Sequence, residues 1–259
     1  MKNPKNILIS GASSGIGRAL AIKYAALGVN LFLCGRNKEK LEATKISCEE
    51  LNAKVVIKVL DVKNSFATKE WLEEIEKNHE LDLVIANAGI SAGTAAGSES
   101  FAQVKEIFET NLDGVLNIIH PAIEKMMPRR RGQIALMSSL AGFRGLPSSP
   151  AYSASKSAVR VYAESLRGNL GKFGIEVSAI CPGYVKTPMT DVNEFPMPFL
   201  MPVEKAAQII KEALEKNKSR IAFPFPLYFA VWFATLISTK ITDPIFARLP
   251  GKKSLDSYL

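Results

Sequence analysis

The chain has 259 residues, 47% of them hydrophobic and 22% charged, which is typical of a folded globular protein and excludes a disordered, collagen-like or polytopic membrane protein. A chain of this length can bury a large core without disulfides, so one large domain is expected. The 33 Lys and Arg exceed the 25 Asp and Glu, giving a net charge of +8. The cations are dispersed apart from Arg129–Arg131, so the sequence predicts no nucleic-acid-binding face, although anionic partners are favoured.

The three cysteines and two histidines predict neither a metal site nor a disulfide framework. Cys34, Cys48 and Cys181 are odd in number and lack CxxC spacing, and His79 and His120 lie far apart. We therefore expect no metal site and a reducing compartment. The first residues contain no apolar secretory signal, so the predicted location is the cytoplasm, with attachment to a membrane surface as a further hypothesis.

Short β-branched runs alternate with helical segments over the first 220 residues, which predicts βαβ units. The predicted fold class is α/β: a Rossmann-type doubly wound parallel sheet of about seven strands, with helices on both faces, in a single domain. The predicted strands are Asn6–Ser10, Asn30–Cys34, Lys54–Leu60, Leu81–Ala86, Gly132–Ser138, Glu176–Ile180 and Arg220–Phe223. The predicted helices are Gly15–Leu27, Lys38–Leu51, Ser65–Asn78, Phe101–Met126, Ala151–Phe173 and Val203–Lys216.

Two apolar stretches interrupt the alternation. Residues 187–202 contain four prolines and no clear periodicity, so they are predicted to form a substrate lid within a dinucleotide-binding and catalytic unit at residues 1–223. Aromatic residues are concentrated after Ile221. Residues 224–259 are therefore predicted to be an apolar C-terminal extension that packs on the same domain.

A glycine-rich turn follows the first predicted strand. Gly11, Gly15 and Gly17 have G-x3-G-x-G spacing and precede a predicted helix. Glycines at these positions allow a tight turn and bring backbone N–H groups and a helix N-terminus close to a pyrophosphate. Because the turn directly follows the first strand, a dinucleotide site is favoured over a simple strand-to-helix connection.

Arg36 indicates which dinucleotide the site prefers. The second predicted strand runs into Cys34–Asn37, where an NAD site would offer a carboxylate to the ribose 2′-hydroxyl and this sequence has none. A guanidinium suits a 2′-phosphate, so NADP(H) is preferred over NAD(H). The structural alternative is a surface arginine that pairs with Glu39 or Glu42.

Tyr152 and Lys156 lie four residues apart, on one face of a predicted helix. A nearby ammonium stabilises a phenolate, so Tyr152 can exchange a proton with a carbonyl or alcohol oxygen. Such a pair alone is usually no more than a helix face. Here, however, three further motifs also fall at the carboxyl ends of predicted strands, the ligand-binding edge of a parallel sheet. These motifs are Asn87–Gly89, Ser138–Ser139 and Pro182–Gly183.

Together these motifs resemble the classical short-chain dehydrogenase/reductase family over residues 5–223. The family's cofactor turn falls on Ser10–Gly17, with Ser10 in place of a threonine, and its NNAG segment falls on Ala86–Gly89, with Ala86 in place of an asparagine. The resemblance implies that Asp61 and Val62 contact adenine and that Pro182–Thr187 holds the nicotinamide. The cofactor-binding residues implied are Gly11, Ser13, Ser14, Gly15, Ile16, Gly17, Arg36, Asp61, Val62, Asn87, Ala88, Gly89, Tyr152, Lys156, Pro182, Gly183, Val185 and Thr187.

The family's catalytic tetrad falls on Asn111, Ser139, Tyr152 and Lys156. Ser139 is chosen over Ser138 because of its spacing from Tyr152. The resemblance implies that Ser139 hydrogen-bonds the substrate oxygen and that Lys156 binds the nicotinamide ribose and lowers the pKa of Tyr152. It also implies that Asn111 holds a water linking Lys156 to solvent. The structural alternatives are a helix kink at Asn111 and a strand cap formed by the serines.

The sequence therefore predicts an NADP(H)-dependent carbonyl reductase or alcohol dehydrogenase. One alternative is a non-catalytic dinucleotide sensor of the same fold. Another is the extended branch of the superfamily, which the short C-terminal part and the spacing of the glycine turn disfavour. The resemblance also implies a homodimer or homotetramer that associates through the helices predicted at 101–126 and 151–173.

The apolar C-terminal segment bears on the substrate. Pro224 and Pro226 leave Leu227–Ile237 as a helix of about 17 Å, too short for a hydrocarbon core of about 30 Å. This helix either covers the substrate cleft or a subunit interface, or lies on an anionic membrane surface. Both hypotheses predict an apolar entrance and a hydrophobic carbonyl or alcohol substrate, such as a lipid, sterol-like or long-chain compound. The flanking cations are Arg220, Lys240, Arg248, Lys252 and Lys253.

Overall fold

A single parallel sheet of seven strands organises the chain. The computed structural model describes residues 1–95, 97–248 and 250–254, and the parts of the predicted extension at 249 and 255–259 lie outside the described residues. The strands are β1 Asn6–Ser10, β2 Asn30–Gly35, β3 Lys54–Val59, β4 Leu83–Ala86, β5 Gly132–Met137, β6 Ile175–Pro182 and β7 Arg220–Phe223. The helices are α1 Gly15–Tyr24, α2 Lys38–Glu49, α3 Ser65–Asn78, α4 Phe101–Phe108, α5 Gly114–Arg129, α6 Pro150–Leu170, α7 Pro188–Asp191, α8 Val203–Glu215, α9 Phe225–Ala234 and α10 Thr239–Phe246.

Helices cover both faces of the sheet, because the strands are apolar on both sides. Along β1, Leu8 packs into a core shared with α3, α5 and α6, whereas Ile7 and Ile9 face the opposite core, shared with α1, α2 and α8. This alternation is the period of two that a strand imposes on its side chains. The arrangement confirms the predicted doubly wound α/β fold in a single domain.

The strand order β3-β2-β1-β4-β5-β6-β7 reverses between β1 and β4. A crevice opens at such a switch point, beyond the carboxyl ends of the strands. Ser10 lies at the end of β1, and its hydroxyl oxygen accepts the backbone N–H groups of Asn87 at 3.0 Å and Ala88 at 3.1 Å. The two loops that border the crevice are thereby tied together.

The predicted helix Phe101–Met126 forms and extends to Arg129, but it is not α-helical throughout. A π-helical turn at Glu109–Asp113 separates α4 from α5. Asn111, inside this turn, is fully buried and hydrogen-bonds the backbone of Ile90. The π-helical turn accompanies the contact between Asn111 and Ile90. Hydrophobic periodicity in the sequence does not predict such a turn.

The C-terminal segment forms two helices where the sequence predicted one at Leu227–Ile237. Helix α9 begins two residues earlier, since Pro226 fits the first turn of a helix, where its missing N–H is not needed. The inner side of α9 packs on the core through Leu227, Tyr228 and Val231. Among the described residues, no helix combines the length and the apolar character needed to cross a membrane.

Candidate active site

A cavity of about 760 Å³ opens at the carboxyl edge of the sheet. Its walls are the glycine-rich turn after β1, the loops that follow β2 to β6, the inner side of α9 and the end of α10. All the site residues predicted from the sequence line this cavity except Gly17 and Asn111. The sequence motifs therefore converge on one place, although they are dispersed along the chain.

The glycine-rich turn is shaped to admit a ligand close to the backbone. Gly11 and Gly15 have φ of +66° and +52°, which side chains rarely adopt. Gly17 does not line the cavity: a Cβ atom there would overlap the carbonyl oxygen of Gly11 and the side-chain amide of Asn87. Its absent side chain lets α1 pack against the turn, so that the N-terminus of α1 faces the cavity. These features fit a bound pyrophosphate.

The end of the cavity next to the loop after β2, which we call the far end, is positively charged. Arg36 is exposed and lines the cavity together with Lys40, a second cation that the sequence analysis missed. Within the described residues, Arg36 forms no ion pair with Glu39 or Glu42, so the structural alternative gains no support. Lys40 could have been identified from the sequence, because it lies four residues after Arg36, on the first turn of the next helix. Two cations at this end fit a phosphate group.

The pair that was predicted to contact adenine follows β3, the neighbour of β2 in the sheet. Asp61 and Val62 follow β3 and both line the cavity. The carboxylate of Asp61 accepts the backbone N–H of Lys63 at 3.0 Å. Val62 packs against Gly114 at the start of α5, where a Cβ atom would come within 2.5 Å of the valine side chain. This close packing fixes the wall.

Tyr152 and Lys156 project from the first two turns of α6. The Nζ atom of Lys156 is buried and donates a hydrogen bond of 2.9 Å to the carbonyl oxygen of Met137, at the end of β5. The Ser139 hydroxyl lies near the phenol of Tyr152, where it acts to lower the phenol pKa, and it donates to the carbonyl oxygen of Pro182 at 3.4 Å. Ser138 instead donates to the backbone carbonyl of Lys156 at 2.7 Å. The structure thus places Ser139, and not Ser138, beside the phenol.

Burial dominates the titration of the two groups. It raises the pKa of Tyr152 above its ordinary value, an effect that the nearby hydroxyl of Ser139 opposes. It lowers the pKa of Lys156 to about 8. The expected lowering of the Tyr152 pKa by Lys156 is therefore not what this structure shows, since the ammonium is itself desolvated and bonded to the Met137 carbonyl. A protonated phenol at neutral pH can donate its proton to a carbonyl oxygen.

Asn111 lies behind the cavity wall. Its amide nitrogen donates to the carbonyl oxygen of Ile90 at 2.9 Å and to the hydroxyl of Ser155 at 3.1 Å, and its amide oxygen accepts the Ile90 N–H at 2.8 Å. A Cβ atom at Gly89 would lie 3.0 Å from Asn111 Oδ1 and 3.1 Å from Lys156 Nζ. The side chain thus fixes the loop after β4 next to the lysine. Both amide hydrogens are thus engaged, so a water in the expected relay would bind the amide oxygen of Asn111 or the backbone of the π-helical turn.

Much of the remaining wall of the cavity is apolar, although Arg144 and Lys252 also line it. The predicted lid at 187–202 is anchored at both ends, because Lys186 N–H donates to the Met201 carbonyl at 2.9 Å and Met201 N–H donates to the Tyr184 carbonyl at 3.0 Å. Its first residues form the short helix α7, and Thr187 packs over Gly15. The apolar residues that line the cavity include Leu140, Leu146 and Phe246, which the sequence did not single out, together with Tyr184, Met189, Phe195, Leu227 and Val231.

The fold and the site define a dinucleotide-dependent oxidoreductase. The chain belongs to the short-chain dehydrogenase family, whose model matches residues 5–195. An uncharacterized oxidoreductase of Myxococcus xanthus is 36% identical over 246 residues, which cover 95% of this chain and 97% of the relative. The protein is accordingly an NAD(P)-dependent enzyme that acts on CH–OH or C=O groups.

Solved structures of short-chain dehydrogenases share this fold. A short-chain dehydrogenase of Sphingobium yanoikuyae in complex with NADPH superposes with a TM-score of 0.80, covering 98% of this chain and all of that one, at 21% identity. A short-chain dehydrogenase of Mycobacterium paratuberculosis bound to NAD has a TM-score of 0.75 at 25% identity, covering 84% of this chain and 94% of that one. The first likeness concerns the fold alone, and the two structures differ in the dinucleotide they bind.

Proposed function

We propose that this protein is an NADP(H)-dependent reductase of apolar carbonyl compounds, with Tyr152 as the general acid. The observation that carries the proposal is the placement of Tyr152 beside Ser139 in a cavity whose remaining wall is largely apolar. The reverse oxidation of the alcohol uses the same groups.

Tyr152, Ser139 and Lys156 each have a separate role in the proposed reaction. A bound nicotinamide supplies the hydride. Tyr152 donates its proton to the substrate oxygen, and Ser139 holds that oxygen by a hydrogen bond. Lys156 binds the ribose of the cofactor and passes a proton to Tyr152, aided by water at the backbone of the Asn111 turn. Burial favours this division of roles, because a phenol with a raised pKa keeps its proton until the substrate oxygen takes it.

The preference for NADP(H) rests on the charges at the far end of the cavity. Arg36 and Lys40 line this end, and Asp61 is the acidic residue that lines it among the described residues. An acid that would bind the ribose 2′-hydroxyl of NAD is absent from the segment that follows β2. Arg36 therefore binds the 2′-phosphate, supported by Lys40.

The outer surface of α9 and α10 supports a finer hypothesis about where the enzyme works. We define this surface, the apolar face, as Phe225, Phe229, Trp232, Phe233, Leu236, Ile241 and Ile245, all of which are exposed. The inner side of the same helices lines the cavity through Leu227, Val231 and Phe246. We propose that the apolar face rests on an anionic membrane surface, next to the entrance for an apolar substrate.

The sequence-based expectation of a homodimer or homotetramer stays part of the proposal. The helices concerned are α4, α5 and α6, and exposed apolar side chains on them include Phe101 and Val161. Light scattering or sedimentation of the purified protein measures the assembly. Neither the hydride chemistry nor the apolar face depends on its outcome.

Turnover of NADPH with ketones of increasing chain length tests the proposed function. We expect NADPH oxidation, with kcat/KM rising along the series because each buried methylene adds about 0.8 kcal/mol. A flat profile would refute the apolar substrate. The competing hypothesis, a dinucleotide sensor, predicts NADPH binding with no oxidation by any ketone in the series.

A further inference from the structure

The last described residues return to the cavity. The carbonyl oxygens of Lys252 and Lys253 accept backbone N–H groups of Ala95 at 2.9 Å and Gly93 at 2.7 Å. A Cβ atom at Gly93 would come within 2.5 Å of the Lys252 side chain and of the Ser148 carbonyl oxygen. The absence of a side chain at Gly93 therefore lets the tail lie against the loops that follow β4 and β5.

This contact directs the side chain of Lys252 inward. The sequence analysis grouped Lys252 with the basic residues that flank the apolar segment, but the structure places it in the wall of the cavity. Its Nζ atom donates to the hydroxyl of Ser91 at 2.8 Å. Its neighbour Lys253 instead pairs with Glu194 on the exposed surface.

The ammonium of Lys252 has no compensating negative charge among the described residues. Arg144, another cation in the same wall, pairs with Asp243, whereas the bond of Lys252 is to a neutral hydroxyl. Burial lowers the pKa of Lys252 to about 8, so the group is still largely protonated at neutral pH. A desolvated ammonium with one hydroxyl partner is unfavourable, and a bound anion relieves that cost.

The position of Lys252 indicates which ligand supplies the anion. The phosphates of a dinucleotide have their own sites at the glycine-rich turn and at Arg36. Lys252 lies instead beside Ser91 and Ser148, and Leu146 and Phe246 belong to the same cavity wall. This part of the cavity is left for the substrate.

We propose that Lys252 binds a carboxylate of the substrate, so that the enzyme reduces a carbonyl on an apolar chain that also bears an acid group. This inference rests on the proposed function and refines its substrate class from an apolar carbonyl compound to an oxo-carboxylate. The apolar wall holds the chain, and the Lys252–Ser91 pair holds the acid.

Oxo-carboxylic acids of graded length and their methyl esters test this proposal with NADPH as the reductant. We expect the wild type to favour the best acid over its ester by about 10–100-fold in kcat/KM, the magnitude of a charge-assisted hydrogen bond. Lys252→Gln should bring this ratio close to one, and Lys252→Arg should retain a preference for the acid. Lys253→Gln is the matched control and should keep the wild-type ratio.

An equal rate with acids and esters in the wild type, or an unchanged ratio in Lys252→Gln, would overturn the proposal. If Lys252→Gln fails to fold, the wild-type ratio and the Lys252→Arg variant still decide. Calorimetric titration of the NADP-loaded protein with a saturated fatty acid and its methyl ester separates this proposal from the proposed function. Tighter binding of the acid without any turnover of ketones supports the anion site while it refutes the reductase.

Discussion

The Nζ atom of Lys156 lies 5.9 Å from the ring centroid of Tyr152. The two side chains leave the same helix face, and the lysine is also bonded to the last residue of β5, so sheet and helix together fix their separation. The phenol is positioned by the fold itself and not by a mobile loop. A substitution that removes only the hydroxyl of Tyr152 should therefore leave the cofactor end of the cavity undisturbed.

Replacing Tyr152 by Phe should reduce kcat by about 10²–10⁴-fold with a ketone and NADPH, because the proton donor is lost. NADPH affinity should stay close to that of the wild type, as measured by fluorescence titration. Tyr162→Phe is the control: this hydroxyl bonds His120 on the surface, 2.9 Å away. Substantial kcat in Tyr152→Phe would mean that another group is the acid.

Arg36→Ala should raise the Kd for NADPH by about 10–100-fold and leave that for NADH nearly unchanged, because a charged contact to the 2′-phosphate is lost. Lys38→Ala, an exposed neighbour outside the cavity wall, serves as the control and should change neither constant. Isothermal titration of the wild type and both variants with the two dinucleotides measures the six affinities. A parallel loss for NADPH and NADH would contradict the assigned role of Arg36.

Two glycines should respond in opposite ways to the same substitution. Gly17→Ala places a methyl group on the Gly11 carbonyl oxygen, so it should distort the turn and abolish dinucleotide binding. Gly168, in α6, has no heavy atom within 4 Å of an added Cβ. Gly168→Ala should therefore stabilise the fold by about 0.5–1 kcal/mol. Thermal unfolding and NADPH titration of both variants check the contrast.

Lys252→Met should stabilise the ligand-free protein at about pH 7, by about 1–2 kcal/mol, because it removes a poorly compensated ammonium from the cavity wall. Burial is the cause of the lowered pKa of Lys252, with no charged group contributing among the described residues. From about pH 8 up to the ordinary lysine pKa of about 10.4, the unfolded chain holds a proton that the folded protein has released.

In that interval the destabilisation caused by Lys252 decreases as the pH rises. The increase in the free energy of unfolding that Lys252→Met produces should therefore be smaller at about pH 9.5 than at about pH 7. Urea unfolding of both proteins at the two pH values measures the difference. Lys253→Met, at the exposed pair with Glu194, should show no such pH-dependent gain. A gain that is constant across this range would show that the ammonium of Lys252 is not desolvated.

The apolar face should attach the protein to anionic vesicles. Flotation with phosphatidylglycerol-containing liposomes should recover the wild type with the lipid, and the double variant Phe229→Ser/Phe233→Ser should stay in the protein fraction. Phe66→Ser removes an even more exposed aromatic ring from α3 and should float like the wild type. A wild type that does not float would reject membrane attachment while leaving the reductase activity untouched.

Local patterns along the chain were sufficient to predict the sheet, its helices and the ligand-binding edge. The glycine-rich turn and the Tyr152–Lys156 pair are recognisable because their spacing is set by geometry within one turn or one helix. The π-helical turn at Asn111 and the inward path of Lys252 depend on contacts between residues distant in the sequence, with Ile90 and with Ala95. No periodicity encodes such contacts. The raised pKa of Tyr152 could not be predicted from the sequence for the same reason, since burial is a property of the assembled cavity.

The tail that closes the cavity also sets an order of events during synthesis. The sheet is complete at Phe223, and the glycine-rich turn, Arg36 and Tyr152 all precede that point. Leu227, Phe246 and Lys252 leave the ribosome afterwards, although they line the same cavity. Because these residues follow the sheet in the chain, all the residues of the dinucleotide end are synthesised before this C-terminal part of the cavity wall.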